Sequence, residues 1–309
     1  AVINAGEIAN KGIEASLSFV PVKTKNFTWD ASVNFAKNDN EVVKLHDEVK
    51  DFELASARWA NASIYASEGQ PYGVIVGKKL KRTEKGDVIF ENGLPTFDDK
   101  VSVLGNGNYD FTLGFRNAFN YKNLSMSVLF DMKFGADIYS MSAMQSHVNG
   151  TSKETLEGRQ EWYSSEQKRQ SAGVPAGNWI ATGGYVGKGV MAIKNDDGEM
   201  IYVPNNVCVD PAKYWQALQT TSPEPFIYDN SFVKLREISL SYNCPKKWFV
   251  HTPIESITLS AYGRNLLLIY SNVDNIDPES SYNNGNGQGF EYGSLPSRRT
   301  FGFGINVKF

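Results

Sequence analysis

The 309-residue sequence predicts an all-β fold, a transmembrane antiparallel β-barrel with long extracellular loops, on two observations. Its segments alternate apolar and polar residues with the period of two that a strand shows. Its best continuous apolar run, residues 266–270, falls far short of the roughly 18 residues that a spanning helix needs. A membrane-spanning strand does not need a continuous apolar run, because only every second residue must face lipid.

The final stretch of the chain shows the clearest alternation. Its apolar residues are Phe301, Phe303, Ile305, Val307 and Phe309. Its intervening residues are Gly302, Gly304, Asn306 and Lys308. A strand with one face for lipid and one for a wet lumen is the repeating unit of an outer-membrane barrel. We therefore expect this strand to cross the membrane, together with the similarly alternating segment Leu124, Met126, Val128, Phe130 and Met132.

Six segments besides the C-terminal one repeat this alternation, and the segment at residues 124–134 is one of the six. Each is about ten residues long, which suffices for a tilted spanning strand. They are residues 13–19, 27–35, 111–116, 124–134, 237–242 and 257–262. Seven strands cannot close a barrel, because both sheet edges would lie unpaired in lipid. The first residues, 1–6, show neither a signal peptide nor a Met start. We therefore expect residues 1–309 to be one portion, the C-terminal one, of a longer barrel protein.

Short and long connections alternate along the chain. The short ones are residues 21–26, 120–123 and 244–255, and the long ones are residues 38–108, 135–231 and 271–296. This order is typical of short periplasmic turns and long extracellular loops. With residues 21–26 in the periplasm, the strands alternate in direction and Phe309 ends in the periplasm.

The long connections carry local patterns of their own. Residues 74–76 and 88–90 are apolar and should form an extracellular hairpin or add an even number of strands. Residues 153–170 are permissive of a helix, with Leu156, Trp162 and Tyr163 as its anchors. Residues 190–193 and 200–203 flank an acidic turn, which we interpret as a hairpin, with Ca²⁺ binding by its carboxylates as the alternative.

Composition and motifs argue against several functions. The net charge of −3 gives no basic field for nucleic acid. His46, His147 and His251 lie in different loops without a nucleophile motif, so no catalytic triad, enzyme activity or cofactor is expected. The glycine-rich residues 183–189 miss the spacing of a phosphate loop and favour a flexible loop. Cys208 and Cys244 fall on opposite sides of the membrane and should be unpaired.

Charges on the polar strand faces are the first candidates for a site. They are Asp30, Arg116, Asp131, Lys133 and Arg264. Such side chains are costly in lipid, so they should face the lumen, a plug or each other. Ion pairing with the plug is one role for them, and contact with substrate is the alternative. Loop aromatics are the second group, because flat rings suit the apolar faces of sugars. Loop packing or partner contact remains the alternative for them. The candidate substrate-binding residues are Arg116, Asp131, Lys133, Arg264, Trp162, Trp179 and Trp215.

Ordered motifs across nearly the whole chain resemble the SusC/RagA family of TonB-dependent outer-membrane transporters. The motifs are GEIANKGIE at residues 6–14, FTW at 27–29 with NDNEV at 38–42, LGN at 104–106 with GFRN at 114–117, YKNL at 121–124, FGAD at 134–137, FVKLREISLSY at 232–242, GRNL at 263–266 and DPE at 277–279. The resemblance implies a 22-stranded barrel with an N-terminal plug. Plug, TonB box and early strands have no counterpart in the sequence.

The resemblance also implies a function and partners. It implies outer-membrane import of nutrient oligomers in a Gram-negative bacterium, glycans first, with a SusD-like lipoprotein lid and the TonB complex acting through an N-terminal region. Oligopeptide import of the RagA type is the alternative. A structural or adhesive barrel is the alternative from another class. We expect the lid to dock on residues 135–231 and 271–296, and leave open a dimer of transporter–lid pairs.

Overall fold

The computed structural model describes residues 6–46, 48–57, 61–283 and 285–309. Residues 1–5, which belong to the first residues considered in the sequence analysis, lie outside the described residues. The described strands are β1 Glu7–Lys23, β2 Phe27–Lys44, β3 Asp51–Ser56, β4 Ala62–Ser67, β5 Val74–Leu80, β6 Ile89–Glu91, β7 Leu94–Pro95, β8 Phe97–Asn106, β9 Phe111–Tyr121, β10 Leu124–Phe134, β11 Asp137–Ser140, β12 Val190–Lys194, β13 Met200–Pro204, β14 Ile227–Asp229, β15 Phe232–Asn243, β16 Ser256–Ser271, β17 Phe290–Glu291 and β18 Thr300–Lys308.

Helices are few and lie in the long connections. They are α1 Met141–Val148, α2 Arg159–Ser171 and α3 Pro211–Thr221, with 3₁₀ turns at Lys153–Leu156, Ala176–Asn178, Glu224–Phe226 and Lys246–Trp248. In the described part of the chain, each helix is too short or too polar to cross a bilayer.

The seven predicted strands form one antiparallel sheet in the order β1-β2-β9-β10-β15-β16-β18. The all-β prediction is confirmed. Several strands are longer than the roughly ten residues that span a bilayer. β1 has 17 residues, β2 has 18 and β16 has 16. Each is therefore longer than a bilayer crossing needs.

The register of the sheet collects the apolar side chains on one face. Leu17 lies opposite Val33, Val33 opposite Phe115, and Phe115 opposite Phe130. Directly opposed residues point to the same side of a sheet, so one apolar face continues across these strands. The same face of β18 is solvent-exposed in the described chain. Phe303 is 87% exposed, and Phe309, which directly follows β18, is 76% exposed. A patch of this kind marks a surface that meets lipid or protein.

The predicted lumen charges share the opposite face. Arg116 lies opposite Leu129, Leu129 opposite Glu237, and Glu237 opposite Arg264. Asp131 and Lys133 follow Leu129 at intervals of two and point the same way. Asp30 lies opposite Ala118, which lies opposite Ser127 on this face. We call this side of the seven-stranded sheet the polar face.

The first short turn begins later than the sequence suggests. β1 continues through Pro21 to Lys23, and a register shift occurs between Phe19 and Val22. Proline lacks a backbone N–H, but at an irregularity of an outer strand that loss costs no ladder hydrogen bond. Thr24 then closes the turn, where its N–H donates to the carbonyl oxygen of Phe27 at 2.8 Å.

The long connections pack together as a second body with its own core. Three smaller sheets have the strand orders β14-β11-β17, β13-β12-β6-β7 and β3-β4-β5-β8. Their buried centre includes Tyr139, Met144, Trp215, Phe226 and Phe290. Because these residues come from connections far apart in the chain, the body forms only when those connections meet. We call it the outer body.

The predicted hairpin between residues 74–76 and 88–90 is corrected in its pairing. Both segments lie outside the seven-stranded sheet, and an antiparallel bridge between Arg82 and Val88 closes a turn between them. However, β5 pairs with β4 and β8, whereas β6 pairs with β7 and β12. Longer partner strands compete successfully for β5, so the two apolar segments belong to different sheets.

Only part of the helix-permissive segment at residues 153–170 is α-helical. Lys153–Leu156 is a 3₁₀ turn and the helix α2 begins at Arg159, and its anchors also differ from those predicted. Leu156 and Tyr163 are each 59% exposed, so they do not anchor it, whereas Trp162 is half-buried. Ser165 is buried instead, and its hydroxyl accepts from Trp179 Nε1 at 3.1 Å. A helix this polar is held by hydrogen bonds to neighbouring loops more than by apolar burial.

Two local predictions in the loops are confirmed. β12 and β13 pair antiparallel, and the N–H of Asn195 donates to the carbonyl oxygen of Glu199 at 2.9 Å, which closes the hairpin. Cys208 and Cys244 are both free. The acidic residues 196–199 thus lie at the turn of this hairpin.

The two faces of β15 give a direct test of the register. Ile238 lies on the apolar face and Ser239 on the polar face. Ile238→Arg should lower the free energy of unfolding by about 2–4 kcal/mol, because it places a charge in lipid. Ser239→Arg, the adjacent matched change, should cost far less. Refolding of the intact barrel into lipid bilayers measures both, and equal penalties would contradict the assigned faces.

Candidate functional site

A network of ion pairs lies on the polar face and joins two parts of the chain. Lys234 Nζ lies 2.6 Å from Asp277 Oδ1 and 2.7 Å from Glu279 Oε2. Arg236 Nη2 lies 2.5 Å from Asp131 Oδ2 and 2.6 Å from Glu279 Oε1. β10 and β15 supply three of these residues, and the connection between β16 and β18 supplies the other two. We call that connection, residues 272–299, the strap.

A bulge in β15 directs three charged side chains to one face. The pairing of β15 with β16 shifts between Leu235 and Glu237. A bulge adds one residue, so consecutive residues there can point the same way. Arg236 reaches Asp131 on the polar face, and Glu237 binds Arg264 on that face with 2.7 Å between Oε2 and Nε. The LREI sequence alone would not reveal this.

Asp277 is the best-buried carboxylate of the network. Its side chain is 8% exposed and that of Lys234 is 5% exposed. It also accepts a hydrogen bond from the N–H of Ser297 at 2.7 Å. Burial alone would raise the pKa of Asp277, but hydrogen bonds from Lys234 and Ser297 lower it to about 2. The carboxylate is therefore ionised and fixes both ends of the strap.

The structure brings only one of the four predicted charged candidates into this network. That residue is Asp131. Arg116 donates from Nε to Ser127 Oγ at 3.0 Å, and Arg264 pairs with Glu237, so both act within the wall of the sheet. Lys234 was not predicted as a site residue. Its position two residues before Arg236 could have indicated it, because residues two apart in a strand share one face.

Lys133 differs from the other cations of the polar face. Among the residues that the structure describes it has no acidic partner within ion-pair distance. Its ammonium lies 5.2 Å from the ring centroid of Tyr109 and 6.0 Å from that of Phe232. It lines a cavity of about 350 Å³ with Asn230 and Glu279. A ligand or a further segment of protein could use this charge.

Two of the three candidate tryptophans line a common cavity in the outer body. Trp162 and Trp179 border a space of about 520 Å³, together with Asn206 and Lys213. Trp179 is oriented by its hydrogen bond to Ser165. Flat apolar walls with a few polar groups are what a small-molecule pocket needs. We call this space the tryptophan cavity.

Trp215 lies elsewhere. It is 9% exposed, belongs to the core of the outer body, and its ring centroid lies 4.5 Å from that of His147. One side borders a cavity of about 350 Å³ that Trp162 also lines. Packing therefore accounts for most of its surface, which was the alternative left open for the loop aromatics.

A further cavity was not predicted from the sequence. It measures about 1160 Å³ and lies between the β6–β7 hairpin, β8 and α3. Its charged lining residues are Lys78, Glu91, Asp98, Asp99 and Lys213. These residues come from four separate segments, so only the packing of the outer body reveals the cavity.

The glycine-rich run at residues 183–189 is not the flexible loop predicted from the sequence, because it packs closely against its neighbours. A Cβ on Gly187 would lie 2.1 Å from Phe90 Cε1, and one on Gly189 would lie 2.2 Å from the carbonyl oxygen of Val88. Only glycine permits such approach. The run lets this loop pack directly on β6 and its preceding turn.

Comparisons with known proteins agree with the geometry. No family model matches the sequence. The chain is 26% identical over 340 aligned residues to TonB-dependent receptor P3 of Formosa agariphila, covering 99% of the chain and 29% of that protein. It is 27% identical over 139 residues to TonB-dependent receptor SusC of Bacteroides thetaiotaomicron, covering 40% of the chain and 14% of that protein.

The fold likeness extends to a solved structure. The RagAB peptide transporter matches with a TM-score of 0.64 and 18% identity, covering 99% of the chain and 30% of that protein. The resemblance to the SusC/RagA family and the barrel fold are thereby confirmed. The chain spans less than a third of the length of these relatives.

Removing the cation of the buried pair should release the strap. Lys234→Met leaves Asp277 buried without its partner, which should destabilise strap docking by about 3–5 kcal/mol. Native-state proteolysis of residues 272–299 in the intact protein measures strap opening. The double variant Lys234→Met/Asp277→Leu should recover much of the loss. Lys133→Met is the matched control, and an equal effect there would contradict a specific ion-pair role.

Acid should release the strap as well. The pKa of Asp277, about 2, lies below the roughly 3.9 of an unfolded aspartate. Its stabilising contribution is therefore complete above about pH 4 and is lost as the pH falls towards 2. The same proteolysis assay with an acid-stable protease should show opening over that interval. Asp277→Asn should flatten the profile there, and an unchanged profile would assign the acid sensitivity to another group.

Proposed function

We propose that the chain is the C-terminal part of an outer-membrane transporter barrel that imports nutrient oligomers in a TonB-dependent manner. The observation that carries this proposal is the two-faced antiparallel sheet, apolar on one side and charged on the other, with the strap bound to the charged side. Its relatives carry the name TonB-dependent receptor, which supports the same assignment. The complete protein would close the barrel with further strands to about 22 and fill it with a plug.

The topology supports an orientation for this barrel. The short turns after β1, β9 and β15 lie at one end of the sheet, and the outer body lies at the other. Short turns belong to the periplasmic side of outer-membrane barrels. In the proposed transporter the outer body is therefore extracellular and the C-terminus periplasmic, in the outer membrane of a Gram-negative bacterium.

Glycan oligomers are our first choice of substrate. The tryptophan cavity offers two indole surfaces with an amide and an ammonium group beside them. Sugars present apolar ring faces and rows of hydroxyls, so stacking and hydrogen bonding can act together. Asp131, Arg116 and Arg264 serve the wall in this proposal, whereas Lys133 remains free to meet substrate or plug.

Oligopeptides are the second choice, for a specific reason. The matched solved structure is titled a peptide transporter. A structural or adhesive barrel is disfavoured because the strap and cavities line the polar side and the outer end, where a solute would pass. An enzyme is disfavoured because the relatives are receptors and transporters.

The proposed transporter works with partners. A SusD-like lipoprotein would lie on the outer body, where Tyr163 and Ile180 are exposed, the latter by 89%. Exposed apolar and aromatic side chains are frequent contributors to protein interfaces. The TonB complex would act through an N-terminal region, and dimers of transporter–lid pairs remain open.

Binding by the intact transporter separates the substrate classes. Neutral oligosaccharides should bind in calorimetry, and Trp179→Ala should weaken binding roughly tenfold, about 1.4 kcal/mol, through loss of stacking. Trp248→Ala is the matched control, because Trp248 is exposed at the opposite end of the sheet. Uptake by cells should require TonB. Binding of oligopeptides but not sugars, unaffected by Trp179→Ala, would favour the peptide alternative, and TonB-independent uptake would contradict the importer.

A further inference from the structure

A histidine lies inside the core of the outer body. His147, in the last turn of α1, is 6% exposed. Its ring centroid lies 4.5 Å from that of Trp215 in α3 and 5.4 Å from that of Phe226. Histidine is seldom buried to this degree in an apolar core without hydrogen bonds to both ring nitrogens. The partners of those nitrogens define what the side chain does.

Both ring nitrogens of His147 face oxygen atoms. Nδ1 lies 2.8 Å from the carbonyl oxygen of Ala143, which can only accept a hydrogen bond. Nε2 lies 2.7 Å from Glu154 Oε2 in the 3₁₀ turn Lys153–Leu156. A neutral imidazole carries one N–H, and the carbonyl takes it. The contact with Glu154 therefore needs one further proton, on the imidazole or on the carboxyl group.

The surroundings accept this proton in either position. An imidazolium at the C-terminal end of a helix is favoured by the helix dipole, and the rings of Trp215 and Phe226 lie beside His147. Glu154 reaches the pair from the surface, because its side chain is 72% exposed. If the proton leaves, the carboxylate of Glu154 faces the lone pair of His147 Nε2 and can turn into solvent. The contact is thus conditional on protonation.

Other charged and titratable groups lie on the elements around the pair. Arg159 of α2 donates to the carbonyl oxygen of Gly150 at 3.0 Å. Asp210, on the α3 side, caps that helix through the N–H of Ala212 at 2.9 Å. Burial raises the pKa of Tyr228 to about 12, and burial also raises the pKa of Tyr185. The arginine and the aspartate therefore have partners of their own, and the two tyrosines keep their protons at moderate pH.

We propose that His147 and Glu154 form a proton-dependent clasp that holds residues 149–171 against the outer body. That segment begins after α1 and includes α2, whose Trp162 borders the tryptophan cavity. With the proton bound, the clasp joins α1 to the 3₁₀ turn and fixes the start of α2. When the pH rises and the proton leaves, the segment loosens and the cavity loses a fixed wall. The inference goes beyond import and applies whichever oligomer is carried.

Hydrogen exchange of the intact transporter tests the clasp. After correction for intrinsic exchange rates, protection of residues 149–171 should fall about tenfold for each pH unit above a midpoint, because closing takes up one proton. Tryptophan fluorescence should change at the same midpoint, since an imidazolium beside Trp215 quenches its indole. Trp215→Phe should remove that fluorescence change.

Glu154→Gln is the decisive variant. An amide can donate to, or accept from, Nε2, so the clasp should persist and the pH dependence should vanish. Glu154→Ala should leave the segment open at every pH. Glu157→Gln is the matched control for loss of a nearby exposed charge and should behave as wild type. A wild-type pH profile in Glu154→Gln would overturn the proposal, as would protection in wild type that does not vary with pH.

Discussion

The register of the seven-stranded sheet is the constraint on which the other features depend. A slip of one residue in any pair would turn every side chain of that strand to the other face. Asp131 and Lys133 would then point into lipid, and Phe130 into the polar side. Among the register shifts that the sheet contains are the bulge near Pro21 and the bulge near Arg236. The first lies in an outer strand of the sheet, and the second brings extra charge to the polar face, so neither disturbs the apolar side.

The buried ion pairs show how the polar face can hold charges close together. Two buried charges lose more hydration than their attraction returns unless further hydrogen bonds satisfy them. Asp277 meets that condition through Ser297 and the backbone of Glu279, and Lys234 meets it through two carboxylates. Such a network adds little stability beyond what apolar residues would give. Its directional contacts instead fix where the strap lies, which apolar contacts alone would leave less defined.

The sequence predicted the wall well and the outer body poorly, for one physical reason. A strand of the wall is recognised from its own alternation, because lipid on one side and water on the other act on each residue directly. In the outer body no such direct contact with lipid on one side and water on the other produces a pattern in the sequence. Whether Trp215 is buried or Trp179 is accessible depends on which distant segments meet there. Likewise Asp277 and Lys234 are 43 residues apart, and the strap must fold back before their pairing exists.

In the proposed transporter, selectivity is better placed in the outer body than on the wall. On the polar face Asp131, Asp277 and Glu279 share Lys234 and Arg236, and Glu237 pairs with Arg264. Charges that are engaged with one another can hold a strap but offer a solute little free attraction. The cavities differ, because the charges that line them form no ion pair among the described contacts: Lys213 with Asp210 in the tryptophan cavity, and Lys213 with Glu91, Asp98 and Asp99 in the cavity of about 1160 Å³. In the proposed transporter, a change in the loops would therefore alter substrate choice while the register of the sheet stays as it is, so that one barrel wall would serve unrelated oligomers.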